Sequence, residues 1–146
     1  LPAMISRFYE AKTQGYKEVN CWGSGSPRRE FLFVDDLAEA SIFVLENVST
    51  ENENLYDKSG KFSGILNIGV GVDISIKELA NLVSSIIGYE GKINWDSSKP
   101  DGTPKKLLDI SKVNKMGWSA KTSLEEGIKL TLKSYIKELK TKSIRI

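Results

Sequence analysis

The sequence predicts a mixed α/β fold, and three patterns carry that prediction. Apolar residues recur at helical spacing in several stretches, one of which opens with a Ser75 to Glu78 capping box. Short apolar runs of strand length lie between these stretches. Glycine and proline stand near their ends, where helices and strands commonly stop. At 146 residues the chain is expected to form a single domain, residues 1–146.

The first third of the chain is predicted to alternate helix and strand. Pro2 suits a first helical turn, and the helix that it opens is expected to stop at Gly15. Strands are expected at residues 19–22 and 31–34, the second being apolar on both faces. Residues 47–63 are polar and irregular, and they are predicted to form a solvent-exposed loop.

Asp35 and Asp36 follow the second predicted strand directly. Paired carboxylates can perform acid–base chemistry or hold magnesium. Here they precede an apolar pattern of helical spacing that starts at Leu37, so they are interpreted as the N-cap and first-turn charges of a helix. No metal site is predicted from these or any other residues.

The second half of the chain begins with a predicted buried strand at residues 65–68. The Gly69-Val70-Gly71 that follows is interpreted as a turn, because Ile74 stands where a dinucleotide-binding G-x-G-x-x-G loop needs its third glycine. Four further elements are predicted: a helix from Ser75 to Gly88, a strand at 92–95, a short helical turn that starts at 109–113 and ends at 116–118, and a last helix opened by the Ser123 to Glu126 capping box.

Composition excludes several classes of chemistry. The chain has no histidine and one cysteine, so it cannot contain a Ser-His-Asp triad, a Cys-His pair or an imidazole base, and almost every zinc site is excluded. A lone cysteine forms no intramolecular disulfide, which fits a reducing cytoplasm. The net charge of +2 does not indicate nucleic acid binding, and no apolar run is long enough to predict a membrane partner.

The main candidate binding site is the glycine loop that starts at Trp22. Gly23 and Gly25 permit backbone conformations that other residues resist, so the loop can hold Arg28 and Arg29 in a defined place. A guanidinium is a planar fork that matches phosphate oxygens two at a time. The cluster therefore predicts a binding site for a phosphorylated ligand. The alternatives are a core or rim tryptophan and solvated arginines.

The loop of residues 96–106 is the second candidate. Asp101, between a proline and a glycine, either forms an Asx-turn or accepts hydrogen bonds from a sugar or a base edge. Lys105 and Lys106 can add positive charge for phosphates. On the first helix, Arg7 has Ala3 and Ala11 one turn away, and these small neighbours leave room for a ligand, although a plain surface arginine is an open alternative.

Several motifs together resemble one family. Trp-Gly-Ser-Gly at 22–25 is followed by Arg-Glu-Phe at 29–31, and Lys-Pro-Asp-Gly-Thr-Pro lies within residues 98–109. The likeness continues at residues 1–8 and 67–71. With these motifs the chain resembles, over nearly its whole length, the C-terminal half of GDP-L-fucose synthase, an extended short-chain dehydrogenase/reductase.

The resemblance implies a mixed α/β substrate-binding part that lacks most of the Rossmann domain. The NADP-binding half would lie upstream of Leu1. The family epimerises GDP-4-keto-6-deoxy-D-mannose at C3 and C5 and then reduces the C4 ketone with NADPH to give GDP-L-fucose. Its contacts to the nucleotide sugar fall on Arg7, Trp22, Arg29 and Asp101. Its catalytic residues and its glycine-rich NADP loop have no counterpart here, so the chain alone is expected to be inactive.

The resemblance further implies a cytoplasmic enzyme that is a homodimer at full length and takes a GDP-sugar. Tyr9 and Lys12 are one residue short of the family's Tyr-x-x-x-Lys spacing and are rejected as a substitute. Lys105 stands where relatives often have arginine, which replaces a bidentate contact by a point charge. Two alternatives stay open: the substrate domain of another sugar-nucleotide epimerase or dehydratase, and a non-catalytic nucleotide-sugar binding module.

Overall fold

The computed structural model describes residues 1–57 and 59–141. Its helices and strands confirm the mixed α/β prediction, and they fall into two compact units. Unit 1 comprises Leu1–Arg29, Ile74–Lys105 and Ser123–Ile146, and unit 2 comprises Glu30–Asp73 and Lys106–Thr122. In chain order the elements are α1 (Pro2–Gln14), β1 (Glu18–Trp22), β2 (Arg28–Glu30), α2 (Val34–Asn47), a 3₁₀ turn (Glu53–Leu55), β3 (Asp73–Ser75), α3 (Ile76–Ile87), β4 (Lys92–Asp96), β5 (Lys105–Lys106), α4 (Ser111–Lys115) and α5 (Leu124–Thr141).

Unit 1 is built on a parallel pair of strands and three helices. β1 and β4 run side by side with Glu18 opposite Lys92 and Trp22 opposite Asp96, which confirms both predicted strands. α1 packs against α3, α5 and β1, and α3 also contacts α5. The core of this unit is made of apolar side chains from the three helices, and the largest of them are Ile5, Phe8, Leu79, Val83 and Ile128.

The ends of α1 and α3 follow the signals in the sequence. Gly15 and Gly88 cap their C-termini in the left-handed conformation, with φ of 68° and 71°. The Ser75 hydroxyl accepts from the Glu78 N–H, and the Glu78 carboxylate accepts from the Ser75 N–H, so the predicted capping box is present. These local bonds satisfy groups that a helix end leaves without partners, which is why sequence alone locates them.

The second sheet is made of very short strands. Its three strands lie in the order β3-β2-β5. Each strand contains a point at which the chain passes from one unit into the other. None of the residues 1–57 and 59–141 belongs to a helix with the length and apolar character needed to cross a membrane.

Unit 2 has its own small core. Ala40 and Val113 are fully buried, Trp118 is nearly so, and the half-buried apolar side chains around them are Leu32, Phe43, Leu66, Ile68, Ile110 and Ala120. The predicted loop of residues 47–63 is largely irregular, but it contains the 3₁₀ turn and a bridge between Tyr56 and Phe62. The short helical turn predicted to start at 109–113 and to end at 116–118 is present as α4.

The Glu30 carboxylate organises the glycine turn of unit 2. Its Oε1 accepts from the N–H groups of Val70 and Gly71 at 2.5 and 2.6 Å, and its Oε2 accepts from the Leu108 N–H at 3.0 Å. A Cβ at Gly69 would lie 2.5 Å from Oε1, so a glycine is required there. The chain bends at this segment as predicted, and its amide groups serve a side-chain carboxylate.

Two predicted strands are wrong. Residues 31–33 form neither helix nor strand, Val34 begins α2, and residues 65–68 are likewise unassigned. A strand needs a hydrogen-bonded neighbour, and within the part of the chain that the structure describes neither segment has one. The side chains of Val34 and Ile65 are also 67% and 68% exposed, so these runs are not covered on both faces.

The prediction for the two aspartates is half correct. Asp35 and Asp36 lie in the first turn of α2, as expected for charges at a helix N-terminus. The N-cap residue is Phe33, which makes no side-chain cap bond, so the N-cap assignment is wrong. Asp36 instead is buried, and its carboxylate accepts from the Thr122 N–H and hydroxyl at 2.9 and 3.0 Å and from the Lys121 N–H at 3.2 Å.

Candidate functional site

The glycine loop after β1 adopts a conformation that only glycine accommodates well. Gly23 and Gly25 have φ of 77° and 75°. Space is restricted as well as conformation, since a Cβ at Gly25 would lie 2.8 Å from the Trp95 ring and 2.9 Å from the Lys77 Cβ. The loop backbone is therefore pressed against β4 and the start of α3.

The same loop closes the N-terminus of α3. The Ile76 N–H donates to the Pro27 carbonyl and the Lys77 N–H to the Gly25 carbonyl, both at 2.9 Å. The next amide, that of Glu78, donates to the Ser75 hydroxyl at 3.1 Å. The first three N–H groups of α3 are thus already bonded. This helix end is not a phosphate site, and any anion in this region must be met by side chains.

Asp101 ties the second candidate loop to the glycine loop. Its Oδ1 accepts from the Ser24 N–H at 2.9 Å, and its Oδ2 accepts from the Ser24 hydroxyl at 2.6 Å. These bonds, with a smaller contribution from Ser26, lower the pKa of the Asp101 carboxyl below its ordinary value of 3.8. Because its donors lie 77 residues earlier in the chain, this contact replaces the Asx-turn interpretation.

The two adjacent arginines point to different partners. The Arg28 guanidinium lies 3.4 Å from the Glu78 carboxylate at the start of α3. The Arg29 Nη1 donates to the Arg28 carbonyl at 2.7 Å, and its Nη2 lies beside Gly102. Across residues 1–57 and 59–141, Arg29 has no carboxylate within 4.0 Å. Its charge is held in place by backbone and is not neutralised.

Trp22 is an exposed aromatic plate. It ends β1, and 74% of its surface is accessible. The alternative that it belongs to the core is therefore wrong. The Lys99 ammonium lies 5.9 Å from the centre of the ring, near the outer limit for a cation–π contact.

Three of the four predicted residues line one cleft of about 160 Å³. Its lining residues all belong to unit 1, and they are Trp22, Gly25, Pro27, Arg29, Ile76, Pro100, Asp101 and Gly102. The cleft combines an apolar face, a fixed cation and a fixed carboxylate. Such a combination can bind a molecule with a flat ring, an anionic group and hydrogen-bond donors.

Arg7 is not among the residues that line this cleft. Its Nη1 donates to the Asn20 carbonyl of β1 at 3.1 Å. It also lies beside Cys21, whose thiol has a pKa raised by burial and partly lowered again by this guanidinium. A role for Arg7 in ligand binding stays a prediction.

The other candidate groups have local partners. Lys12 donates to the Ile87 carbonyl at the end of α3, and Tyr9 packs edge-on against Tyr135, so these two residues do not form a catalytic pair. Lys105 and Lys106 form β5 outside the cleft lining. Within the described residues 1–57 and 59–141, no group of three or more Cys, Asp or Glu side chains is placed to hold a metal.

The residue that sequence reasoning missed is Ser24. It lies between the two glycines, where the loop had been considered only for its flexibility. Its position between two glycines gave no distinctive signal, because serine is common in such loops. Its partner Asp101 is far away in sequence and could not be inferred.

Comparison with known proteins shows which enzymes this chain resembles in sequence and fold. The profile of the NAD dependent epimerase/dehydratase family matches residues 1–69. Among solved structures, a GDP-mannoheptose C4 reductase from Campylobacter jejuni with NADP bound is 35% identical, with a TM-score of 0.80 over 92% of this chain and 44% of its own. The fold is that of one part of such a dehydrogenase/reductase, as predicted.

More particular relatives are GDP-L-fucose synthases. A probable GDP-L-fucose synthase 1 from Oryza sativa subsp. japonica is 48% identical over 95% of this chain. The GDP-L-fucose synthase of Escherichia coli (strain K12) is 43% identical over 93% of it. These matches confirm the resemblance to GDP-L-fucose synthases. The chain spans 39% and 41% of the length of these two relatives.

Proposed function

We propose that this chain is the nucleotide-sugar binding part of an NADPH-dependent 3,5-epimerase/4-reductase that converts GDP-4-keto-6-deoxy-D-mannose to GDP-L-fucose. The observation that carries the proposal is the convergence of Trp22, Arg29 and Asp101 on one cleft. The names of the relatives supply the substrate class. The full-length enzyme is proposed to be a cytoplasmic homodimer.

Each cleft residue has a separate task in this proposal. The exposed Trp22 ring stacks on the guanine, whose polarised face matches an indole. Arg29 binds the diphosphate, because its guanidinium has no carboxylate partner among the described residues and its fork matches two phosphate oxygens. Asp101 accepts hydrogen bonds from donors on the nucleoside. Arg7 is retained as a fourth contact, made outside the cleft lining.

The cofactor is proposed to be NADP, held outside this chain. The Gly69-Val70-Gly71 turn does not fit a dinucleotide phosphate, because the Val70 and Gly71 amides already bind the Glu30 carboxylate. The residues that line the cleft do not include a Tyr and Lys pair like that of the family. We therefore propose that the chain alone binds the nucleotide sugar without turning it over.

Calorimetric titration of the 146-residue chain with GDP and with UDP tests the binding proposal. GDP is expected to bind more tightly than UDP, with quenching of tryptophan fluorescence that is lost in Trp22→Phe. Removing one charge-assisted bidentate contact weakens binding by roughly 10- to 100-fold, so Arg29→Ala is expected to reduce GDP affinity by that factor.

Other outcomes would contradict the proposal in distinguishable ways. Equal affinity for GDP and UDP would favour a different sugar-nucleotide enzyme. Absence of nucleotide binding would remove the cleft as the site. Oxidation of NADPH by the chain alone, when supplied with GDP-4-keto-6-deoxy-D-mannose, would show that the catalytic groups do lie within it.

A further inference from the structure

We propose that Ser24 is a positioning residue, which orients Asp101 so that its two oxygens together accept a pair of neighbouring donors on the ligand. This inference rests on the proposed function, since it concerns the same cleft. It adds a residue that binds no substrate itself and assigns the chemistry of the group that Asp101 recognises.

The geometry is a two-point attachment of one carboxylate to one residue. The Ser24 N–H reaches Oδ1 at 2.9 Å and the Ser24 hydroxyl reaches Oδ2 at 2.6 Å. Two bonds to different oxygens fix the plane of the carboxylate, whereas one bond would leave it free to rotate. An ionised carboxylate has about four acceptor positions. Ser24 therefore leaves one position on each oxygen for the ligand, and Ser26 makes only a smaller contribution to the carboxylate.

The Ser24 hydroxyl is itself held in place. It accepts from the Ser26 N–H at 3.1 Å and lies 2.8 Å from the Ser26 hydroxyl. When the Ser26 hydroxyl donates to it, the single Ser24 proton is directed to Asp101. At Gly23, a Cβ would come within contact distance of Asp101 Oδ1 and force the carboxylate away. The lowered pKa of Asp101 is in keeping with this arrangement, because both Ser24 donors favour the ionised form.

A fixed carboxylate with one acceptor on each oxygen matches two adjacent donors. A GDP-sugar offers two such pairs, the 2′,3′-diol of the ribose and the N1–H with the 2-amino group of guanine. Uracil offers a single N–H between two carbonyls, so its base edge does not match. Because the ordering is already present without ligand, the match costs little conformational entropy.

The test is a set of titrations that compares three nucleotides and three forms of the chain. GDP, inosine diphosphate, which lacks the 2-amino group, and 2′-deoxyguanosine diphosphate are titrated into the native chain, Ser24→Ala and Ser59→Ala. Ser59 is a matched control in unit 2, where its N–H and hydroxyl bind the Asp57 carboxylate at 2.8 and 2.6 Å.

Ser24→Ala is expected to weaken GDP binding by about tenfold or more, and Ser59→Ala to leave it unchanged. The nucleotide that lacks the recognised donor should bind the native chain weakly and lose little further in Ser24→Ala. If inosine diphosphate behaves this way, Asp101 recognises the base edge of guanine. If 2′-deoxyguanosine diphosphate does, Asp101 recognises the ribose. Ser24→Thr, which keeps the hydroxyl, should recover most of the affinity with an unchanged urea midpoint.

Three results would overturn the inference. If Ser24→Ala binds GDP as Ser59→Ala does, while Arg29→Ala still loses affinity, Ser24 has no positioning role and the proposed function stands. If Ser24→Ala weakens all three nucleotides by the same factor, Asp101 recognises neither donor pair. If no nucleotide binds the native chain, the inference and the proposed function are both wrong.

Discussion

The carboxylate of Glu78 lies 3.4 Å from the guanidinium of Arg28 while it also accepts from the Ser75 N–H in the capping box of α3. The Glu78 carboxylate thus bonds both to the N-terminus of α3 and to Arg28, which follows the glycine loop. The ion pair with Glu78 explains why two consecutive arginines point to different partners. Arg28 is directed to the helix, and Arg29 lines the cleft.

Arg29→Lys is expected to bind GDP less tightly than the native chain and more tightly than Arg29→Ala. Lysine keeps the charge but loses the planar fork, so one of two phosphate contacts disappears. Arg28→Ala is the neighbouring control and should change GDP affinity less than threefold, since ion pairs at exposed positions are weak. Calorimetry with GDP measures both. A larger loss in Arg28→Ala than in Arg29→Ala would reverse the assignment.

Gly25→Ala is expected to destabilise the chain by about 2 to 4 kcal/mol, as left-handed strain and crowding against Trp95 add together. Gly15→Ala is a matched control with φ of 68° and no atom within 4 Å of its added Cβ. Gly15→Ala has the left-handed backbone strain without the crowding, and it should cost about 1 kcal/mol. Urea unfolding measures the two differences. Equal losses would mean that contact with the ring contributes nothing.

The Ser24 contact to Asp101 should depend on pH in a defined direction. The hydrogen bonds from Ser24 lower the pKa of this carboxyl, so its stabilising effect is fully present above the ordinary value of 3.8 and is lost as pH falls through the lowered value. Carbon NMR of the Asp101 carboxyl should show a titration midpoint below 3.8 in the native chain. The midpoint should move upward in Ser24→Ala. A native midpoint at or above 3.8 would contradict the contact.

Asp36→Ala is expected to destabilise unit 2 by about 2 to 3 kcal/mol, because it leaves the N–H and hydroxyl of Thr122 without their acceptor. Asp35→Ala provides the control, since Asp35 is exposed in the same helical turn. Its loss should stay below about 1 kcal/mol, the size of a first-turn charge effect. Urea denaturation of the two variants gives the comparison. Similar losses would show that the buried carboxylate has no special role.

The helices of unit 1 could be predicted because their signals are local. Pro2, the glycines after α1 and α3, and the Ser75 to Glu78 box act within one helical turn. Most of β1 and most of β4 were predicted as short strands. Their pairing, Cys21 opposite Trp95 for example, joins segments far apart in sequence and could not be inferred.

The strands predicted at 31–34 and 65–68 failed for a physical reason. An apolar run indicates burial, but strand structure requires a backbone partner that the run does not specify. Val34 also stands just before two aspartates, and a sequence of this kind suits the first turn of a helix. Burial of Asp36 depends on Thr122 and could not be deduced from the pair of carboxylates.

Three residues of the cleft were predicted, but the contacts that hold them in place were not. Trp22, Arg29 and Asp101 were selected by residue type and by resemblance, and the structure brings them together. The same reasoning included Arg7, which bonds to the backbone of β1 and lies outside the cleft lining, so its role in binding stays a prediction. It did not identify Ser24, because a serine in a glycine loop is common and its partner is 77 residues away.

The Ile76 and Lys77 amides donate to two carbonyls of the glycine loop, and these bonds determine when the loop can form during synthesis of the protein. While the ribosome is still adding residues before α3, the loop has neither of these partners and cannot take up its final shape. The carboxylate of Asp101 arrives later still. During synthesis, Trp22 and Arg29 are therefore present before the cleft that they line is complete, since its lining extends to Gly102.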